Sequence, residues 1–141
     1  MSSSRSNESR VIQANIDAVW DKVKSVTFSF WSAVQKVDIE GNVDAVGSIR
    51  VVYFKDGSVQ KYQIREISDL EHFVTYEVIE SSVPTLVLAA YHTIRLRKVT
   101  HDNSTFVDFS SEFASGENTS TVVEDSKYKK IEALQGLAGA F

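Results

Sequence analysis

From residue 37 onward, apolar and polar positions alternate in short runs, and β-branched residues crowd the apolar positions. That period-two texture predicts strands over Val37–Glu40, Ile49–Phe54, Val59–Ile67, Phe73–Glu80, Leu86–Val99 and Thr105–Phe113. Lys55-Asp56-Gly57-Ser58 sits between two of these runs, and an Asp-Gly in that position is a hairpin signal, because glycine accepts the positive φ that a tight turn needs. Gly41–Gly47 reads as a loop, and Ser81–Thr85 and His101–Ser104 as turns. Six consecutive strands joined by short turns form a meander, which is necessarily antiparallel.

The flanks have a different texture. Residues 1–8 are serine-rich and polar and read as a disordered lead-in, after which Ser9–Ala14 predicts a first strand and opens a single domain over 9–141. Asp17 offers an N-cap for a short helix carrying Val19, Trp20 and Val23. A second apolar cluster, Phe28, Phe30, Trp31 and Val34, predicts another short helix capped by Ser29. From Thr119 to Phe141 the pattern becomes helical, with Val123, Tyr128, Ile131, Leu134 and Ala138 recurring at helical spacing. The order is strand, two short helices, six-strand meander, long helix. A seven-stranded sheet curls, and its concave face needs a cover. The C-terminal helix is the element left to supply it, which makes the chain α+β.

Composition narrows the function. The chain of 141 residues has room for one core, or for a core with a cavity in it. A net charge of −4 without a Lys or Arg run speaks against a generic nucleic-acid or anionic-membrane surface. Cysteine is absent, which removes disulfides, thiolate-bound zinc and a thiol nucleophile. The apolar stretch Val83–Tyr91 is too short to span a bilayer and is broken by Pro84 and Thr85. Met1–Arg10 has no apolar segment of the secretory kind, so the sequons at Asn7, Asn103 and Asn118 are expected to stay bare and the location to be cytoplasmic.

Several local patterns, in order, resemble one superfamily. They are Asp17-Ala18-Val19-Trp20, Trp31, Val46-Gly47-Ser48-Ile49-Arg50, Asp56-Gly57, Ile64 with Ile67-Ser68-Asp69, and Tyr76-Glu77-Val78-Ile79-Glu80 with Pro84 and Tyr91 beyond. From about Ser9 to Phe141 the chain resembles the helix-grip proteins of the START-like (SRPBCC) superfamily. That group includes polyketide cyclase/dehydrase proteins, the birch-pollen-allergen family and plant abscisic-acid receptors. The resemblance implies a curved sheet gripping the long helix, with a cavity between them for a lipid, polyketide or other secondary metabolite. It leaves open whether the protein is a carrier, a receptor or an enzyme, since fold does not choose among these.

Strand alternation and the resemblance together nominate the lining: Arg50, Val52, Phe54, Tyr62, Ile64, Tyr76, Val78, Tyr91, Thr93, Phe109, Ser111 and Phe113, with Tyr128 and Ile131 from the helix. On the strand Leu86–Val99, placing Tyr91 and Thr93 inward would bury Arg95, unless a β-bulge near Thr93 reverses the parity. Arg50 with the tyrosines makes a candidate polar cluster, in which a guanidinium holds a carboxylate or enolate and phenols act as acids. Two readings of Arg50 stay open: that role, or an ion pair with Glu66 or another carboxylate. In related receptors and a related plant synthase a Glu stands where this chain has Tyr62, and Glu66 is the candidate substitute. His72 and His101 read as turn residues and His92 as outward-facing, without metal-ligand spacing. Lys127–Lys130 reads as a solvated helix face. The expectation is therefore a monomer or homodimer that binds a small hydrophobic molecule without cofactor or metal. The alternative is a cofactor-independent cyclase, dehydratase or isomerase using Arg50 and the pocket tyrosines, with Arg50, Tyr62 and Glu66 as the candidate catalytic residues.

Overall fold

A computed structural model of the chain describes residues 2–83, 89–115 and 119–141. Its elements are β1 (Ser2–Ile12), α1 (Ile16–Val23), β2 (Val34–Glu40), β3 (Ile49–Phe54), β4 (Val59–Ser68), β5 (Phe73–Ser81), β6 (Ala89–Val99), β7 (Ser104–Ser115) and α2 (Thr119–Gly139). The strands form one sheet in the order β1-β7-β6-β5-β4-β3-β2, antiparallel at every step. The meander is thus as the alternation predicts, with β1 added beside β7. Pro84, the rest of the turn through Thr85 and the expected strand start at Leu86 lie outside the described residues, as does Asn118.

The hairpin at Asp56-Gly57 forms as expected. Gly57 has φ +91°, the Phe54 N–H donates to the Ser58 carbonyl at 2.9 Å, and the Ser58 N–H donates to Asp56 Oδ1 at 2.8 Å. The polar lead-in does not stay free. Residues 2–8 are the first part of β1, in register with β7 from Ser2 opposite Ser115 to Ile12 opposite Thr105. A strand of this kind draws on ladder hydrogen bonds and cross-strand pairs rather than apolar alternation. Arg5 meets Glu112 across the pair at 2.7 Å, and Ser6 is buried.

One short helix follows β1, not two. In α1, Val19, Trp20 and Val23 are buried as expected, but the cap is Asn15, whose Oδ1 accepts the Ala18 N–H at 3.0 Å. Asp17 sits in the first turn instead, where a carboxylate favours the helix dipole. Beyond α1, Val26 and Phe28 take φ values of +54° and +51°, so no helix can propagate through them. Left-handed backbone costs about 1–3 kcal/mol at a non-glycine residue. Burial holds it here: both side chains are 1 % exposed, and Phe28 packs edge-on against Trp31 at 5.6 Å.

The packed core lies where α1, this segment and the C-terminal half of α2 meet the sheet. Val19, Trp20 and Val23 join Ile12, Ile64, Val74, Ile94, Leu96 and Val107 from the strands and Ala133, Leu134 and Leu137 from α2. The helix approaches so closely that a Cβ on Gly136 would collide with the Phe30 carbonyl oxygen, so the glycine is a packing residue. Trp31 Nε1 donates to Glu132 at 3.2 Å and fixes the same junction. Among the described residues, no helix is long and apolar enough to cross a membrane.

Candidate functional site

Towards its N-terminus α2 no longer touches a filled core. A cavity of about 830 Å³ lies there, between the inner face of the sheet and the first turns of the helix. The sheet contributes Tyr62, Tyr76, Val78, Ala90, His92, Phe109 and Phe113, with Trp31 and Phe54 at one side. The helix contributes Thr121, Val122, Asp125, Ser126, Lys129 and Lys130. Among the described residues, Ser81 Oγ is the one buried side-chain polar atom without a hydrogen-bond partner, and Ser81 also lines this cavity.

Pairing across β4, β5 and β6 brings three rings side by side. Tyr62 and Tyr76 are 4.8 Å apart between centroids, and Tyr76 and His92 are 5.1 Å apart. The Tyr62 hydroxyl donates to Gln60 Oε1 at 2.7 Å. Burial pushes both phenols up from their ordinary values, and at Tyr76 the neighbouring Tyr62 adds to it. Both are therefore neutral hydroxyls at any physiological pH. His92 shares a hydrogen with Ser111 Oγ at 2.5 Å. Burial, then the positive fields of Lys130 and Lys129, push its imidazole down to about 3, so it too is neutral.

Lys130 is the cation that faces these rings. It is only 2 % exposed, and its Nζ donates to Ser126 Oγ one turn earlier on the helix. The ammonium lies 5.2 Å from the Phe109 ring centroid and 5.9 Å from that of Phe113. Among the described residues no carboxylate comes within 4.0 Å of it. Burial lowers its pKa to about 8, against the pull of Glu8 on β1 and with some help from Lys129.

The structure brings only part of the expected lining to this cavity. Phe54, Tyr62, Tyr76, Val78, Phe109 and Phe113 are in it. Val52 and Ile64 face inward but are consumed by the packed core, and Ser111 lies behind His92. Tyr91 and Thr93 are on the opposite face of the sheet. The pairing of β6 with both neighbours runs without a register shift, so no bulge rescues them. Ala90, His92, Ile94 and Leu96 point inward instead, which reverses the expectation for His92. Thr93 Oγ1 pairs with Thr75 Oγ1 at 2.8 Å, and Tyr91 is hydrogen-bonded to Glu77 at an outer-face cluster with Arg65. Arg95 is on that outer face too, 4.4 Å above the Phe73 ring. On α2, Tyr128 is 63 % and Ile131 41 % exposed, while Lys130 is buried rather than solvated.

Arg50 is buried without being in the cavity. Its Nε donates to the Ser25 carbonyl at 2.6 Å, Nη2 to the Val43 carbonyl at 2.7 Å and Nη1 to Ser48 Oγ at 3.0 Å. The guanidinium therefore ties the segment after α1 to the loop before β3. Burial lowers its pKa and the field of Asp44 opposes this; Glu66 is not its partner. A register shift in β4 between Ile64 and Glu66 turns Glu66 out into solvent, so neither it nor Arg50 lines the cavity.

One short helix, a long C-terminal helix and a seven-stranded antiparallel sheet make this a helix-grip protein, the fold that the residue patterns imply. No protein-family model and no curated protein sequence matches the chain. Solved structures do. A protein from Nitrosospira multiformis superposes with a TM-score of 0.86 at 23 % identity, covering 98 % of this chain and 96 % of that one. Ara h 8.0201 gives 0.80 at 16 % identity, covering 99 % and 97 %. The major latex-like protein 151 of Panax ginseng gives 0.76 at 16 % identity, covering 98 % and 97 %. At these identities the likeness shows the fold and the fold alone.

Proposed function

We propose that this chain binds a small hydrophobic or aromatic molecule between the sheet and the N-terminal half of α2. The observation that carries the reading is the cavity of about 830 Å³ with Tyr62, Tyr76, Phe109, Phe113 and Trp31 in its walls. Ligand sites are commonly about 300–1,000 Å³ and mainly apolar, with a few placed polar groups. An empty volume of that size in a domain this small forgoes contacts that a filled core would supply, which a bound molecule restores. The alternative, a cofactor-independent cyclase, dehydratase or isomerase, requires Arg50 at the ligand. That guanidinium is held by Ser25, Val43 and Ser48 instead.

The test is native mass spectrometry, together with displacement of a fluorescent probe, across a panel of lipids and polyphenols. Trp31 in the wall gives a second readout through its emission. Binding tighter than millimolar is expected for members of the panel. If nothing in it binds that tightly, the ligand-binding reading is wrong.

A further inference from the structure

We propose that the cavity is built for an amphipathic acid, a molecule with an apolar or aromatic body and one carboxylate, seated so that the carboxylate meets Lys130. This deepens the ligand-binding reading and rests on it. The charges around the cavity select the site. Lys129 pairs with Asp125 at 2.9 Å, and Glu80 with Lys61 at 3.3 Å, so the other charged groups of the lining are matched. Tyr62, Tyr76 and His92 are neutral there. Among the described residues Lys130 is left with a hydroxyl and two ring faces. Glu8 attracts it from β1 without reaching ion-pair distance.

A buried cation without a contacting anion is costly, because its lost hydration is not replaced. An entering carboxylate supplies that missing partner. Ser126 accepts the hydrogen bond from Lys130 and keeps its own O–H to donate to the same carboxylate. The ring faces of Phe109 and Phe113 beside the ammonium suit the body of the ligand rather than its head. A single lysine beside the Phe109 and Phe113 rings, with the other charges of the lining paired among themselves, fits one negative charge better than the larger and more highly charged head of a phosphate.

The experiment compares matched pairs that differ in the head alone: decanoate with decan-1-ol, and naphthalene-2-carboxylate with naphthalen-2-ylmethanol. Affinities are measured by titration calorimetry near neutral pH for the wild type and Lys130→Met. The wild type is expected to hold each acid about tenfold more tightly than its alcohol, the scale of one charge-assisted hydrogen bond. Lys130→Met is expected to lose that preference, so that each acid binds no more tightly than its matched alcohol in the variant. A measurement on the wild type alone serves if the variant fails to fold: the preference is expected to shrink at about pH 10, above the value of about 8 to which burial lowers this amine. Equal binding of acid and alcohol, or a preference that survives in Lys130→Met, overturns the carboxylate assignment and leaves the cavity reading standing. Failure of both acids and both alcohols to bind overturns the two together.

Discussion

The protein is packed solid where α1, the segment 24–33 and the end of α2 meet the sheet, and hollow where the start of α2 crosses it. Among the described residues each region buries one cation: Arg50 at 0 % and Lys130 at 2 % exposure. Their surroundings differ in kind. Arg50 donates to the Ser25, Val43 and Ile49 carbonyls and to the Ser48 hydroxyl, so its hydration is replaced by fixed protein dipoles. Lys130 has a single hydroxyl partner among the described residues and an empty volume beside it. Burial alone therefore does not assign a role to a charged residue. The partners do, and by that measure Arg50 holds the fold together while Lys130 faces the cavity.

The comparison breaks if the two cations respond alike to removal. Arg50→Met is expected to lower stability by about 3 kcal/mol, since the Ser25 and Val43 carbonyls become buried acceptors without donors. Lys130→Met is expected to change it by less than about 1 kcal/mol or to raise it, because a costly charge leaves and its apolar stem stays. Urea unfolding measures both, and equal losses would void the distinction. Gly136→Ala tests the solid region alone. Alanine favours a helix by up to about 1 kcal/mol over glycine, yet the added methyl meets the Phe30 carbonyl. Overpacking of this kind commonly costs about 1–3 kcal/mol, so a net loss of about 1–2 kcal/mol is expected from the same measurement.

How legible each region is in the sequence follows from the same contrast. In the solid region, Arg50 aside, inward means apolar, and Val19, Trp20, Val23 and Leu134 are readable from periodicity, while Ile64 needs the resemblance to set its face. In the hollow region the inner face carries His92, Ser111, Ser126 and Lys130, which hydropathy cannot distinguish from solvent-facing residues. A parity error of one residue on β6 was enough to exchange His92 for Tyr91. The signal that could have corrected it was local: inward Tyr91 requires inward Arg95, whereas inward His92 brings Ile94 and Leu96 with it. The helix stripe failed in the same way, because Tyr128 and Ile131 are apolar but exposed. The absent second helix had no such signal, since left-handed Val26 and Phe28 are imposed by tertiary packing.

Acid sharpens the difference next. The His92 imidazole, ordinarily at 6.5 and here near 3, refuses a proton that the unfolded chain accepts. Stability is therefore expected to fall as pH drops from about 6.5 towards 3, by at most ~1.4 kcal/mol per pH unit from this group. His92→Gln should flatten that slope in urea titrations at successive pH values. Lys130 acts on the alkaline side. Its folded value near 8 lies below the ordinary 10.5, so between these two its contribution to stability rises with pH. A wild type as stable at pH 5 as at pH 7, with His92→Gln no different, would mean that His92 is hydrated and not walled into the cavity.

The smallest effect tests the face assignment on which the whole site depends. Tyr91 is 42 % exposed, and its hydroxyl bonds Glu77 on the convex side, where Arg65 also reaches the carboxylate at 2.5 Å. That contact, led by the Tyr91 hydrogen bond, holds Glu77 below the usual carboxylate range. Removing the hydroxyl leaves Arg65 in place and opens nothing to the cavity. Tyr91→Phe is thus expected to leave the urea unfolding midpoint essentially where it was, as surface changes usually do. It should also leave decanoate affinity as it was. Tyr76→Ala, one strand over and 3 % exposed, is the matched opposite: it removes a ring from the cavity wall and should weaken the same binding. If Tyr91→Phe weakens decanoate binding instead, β6 has the other parity, and the cavity is lined by Tyr91 and Thr93 in place of His92.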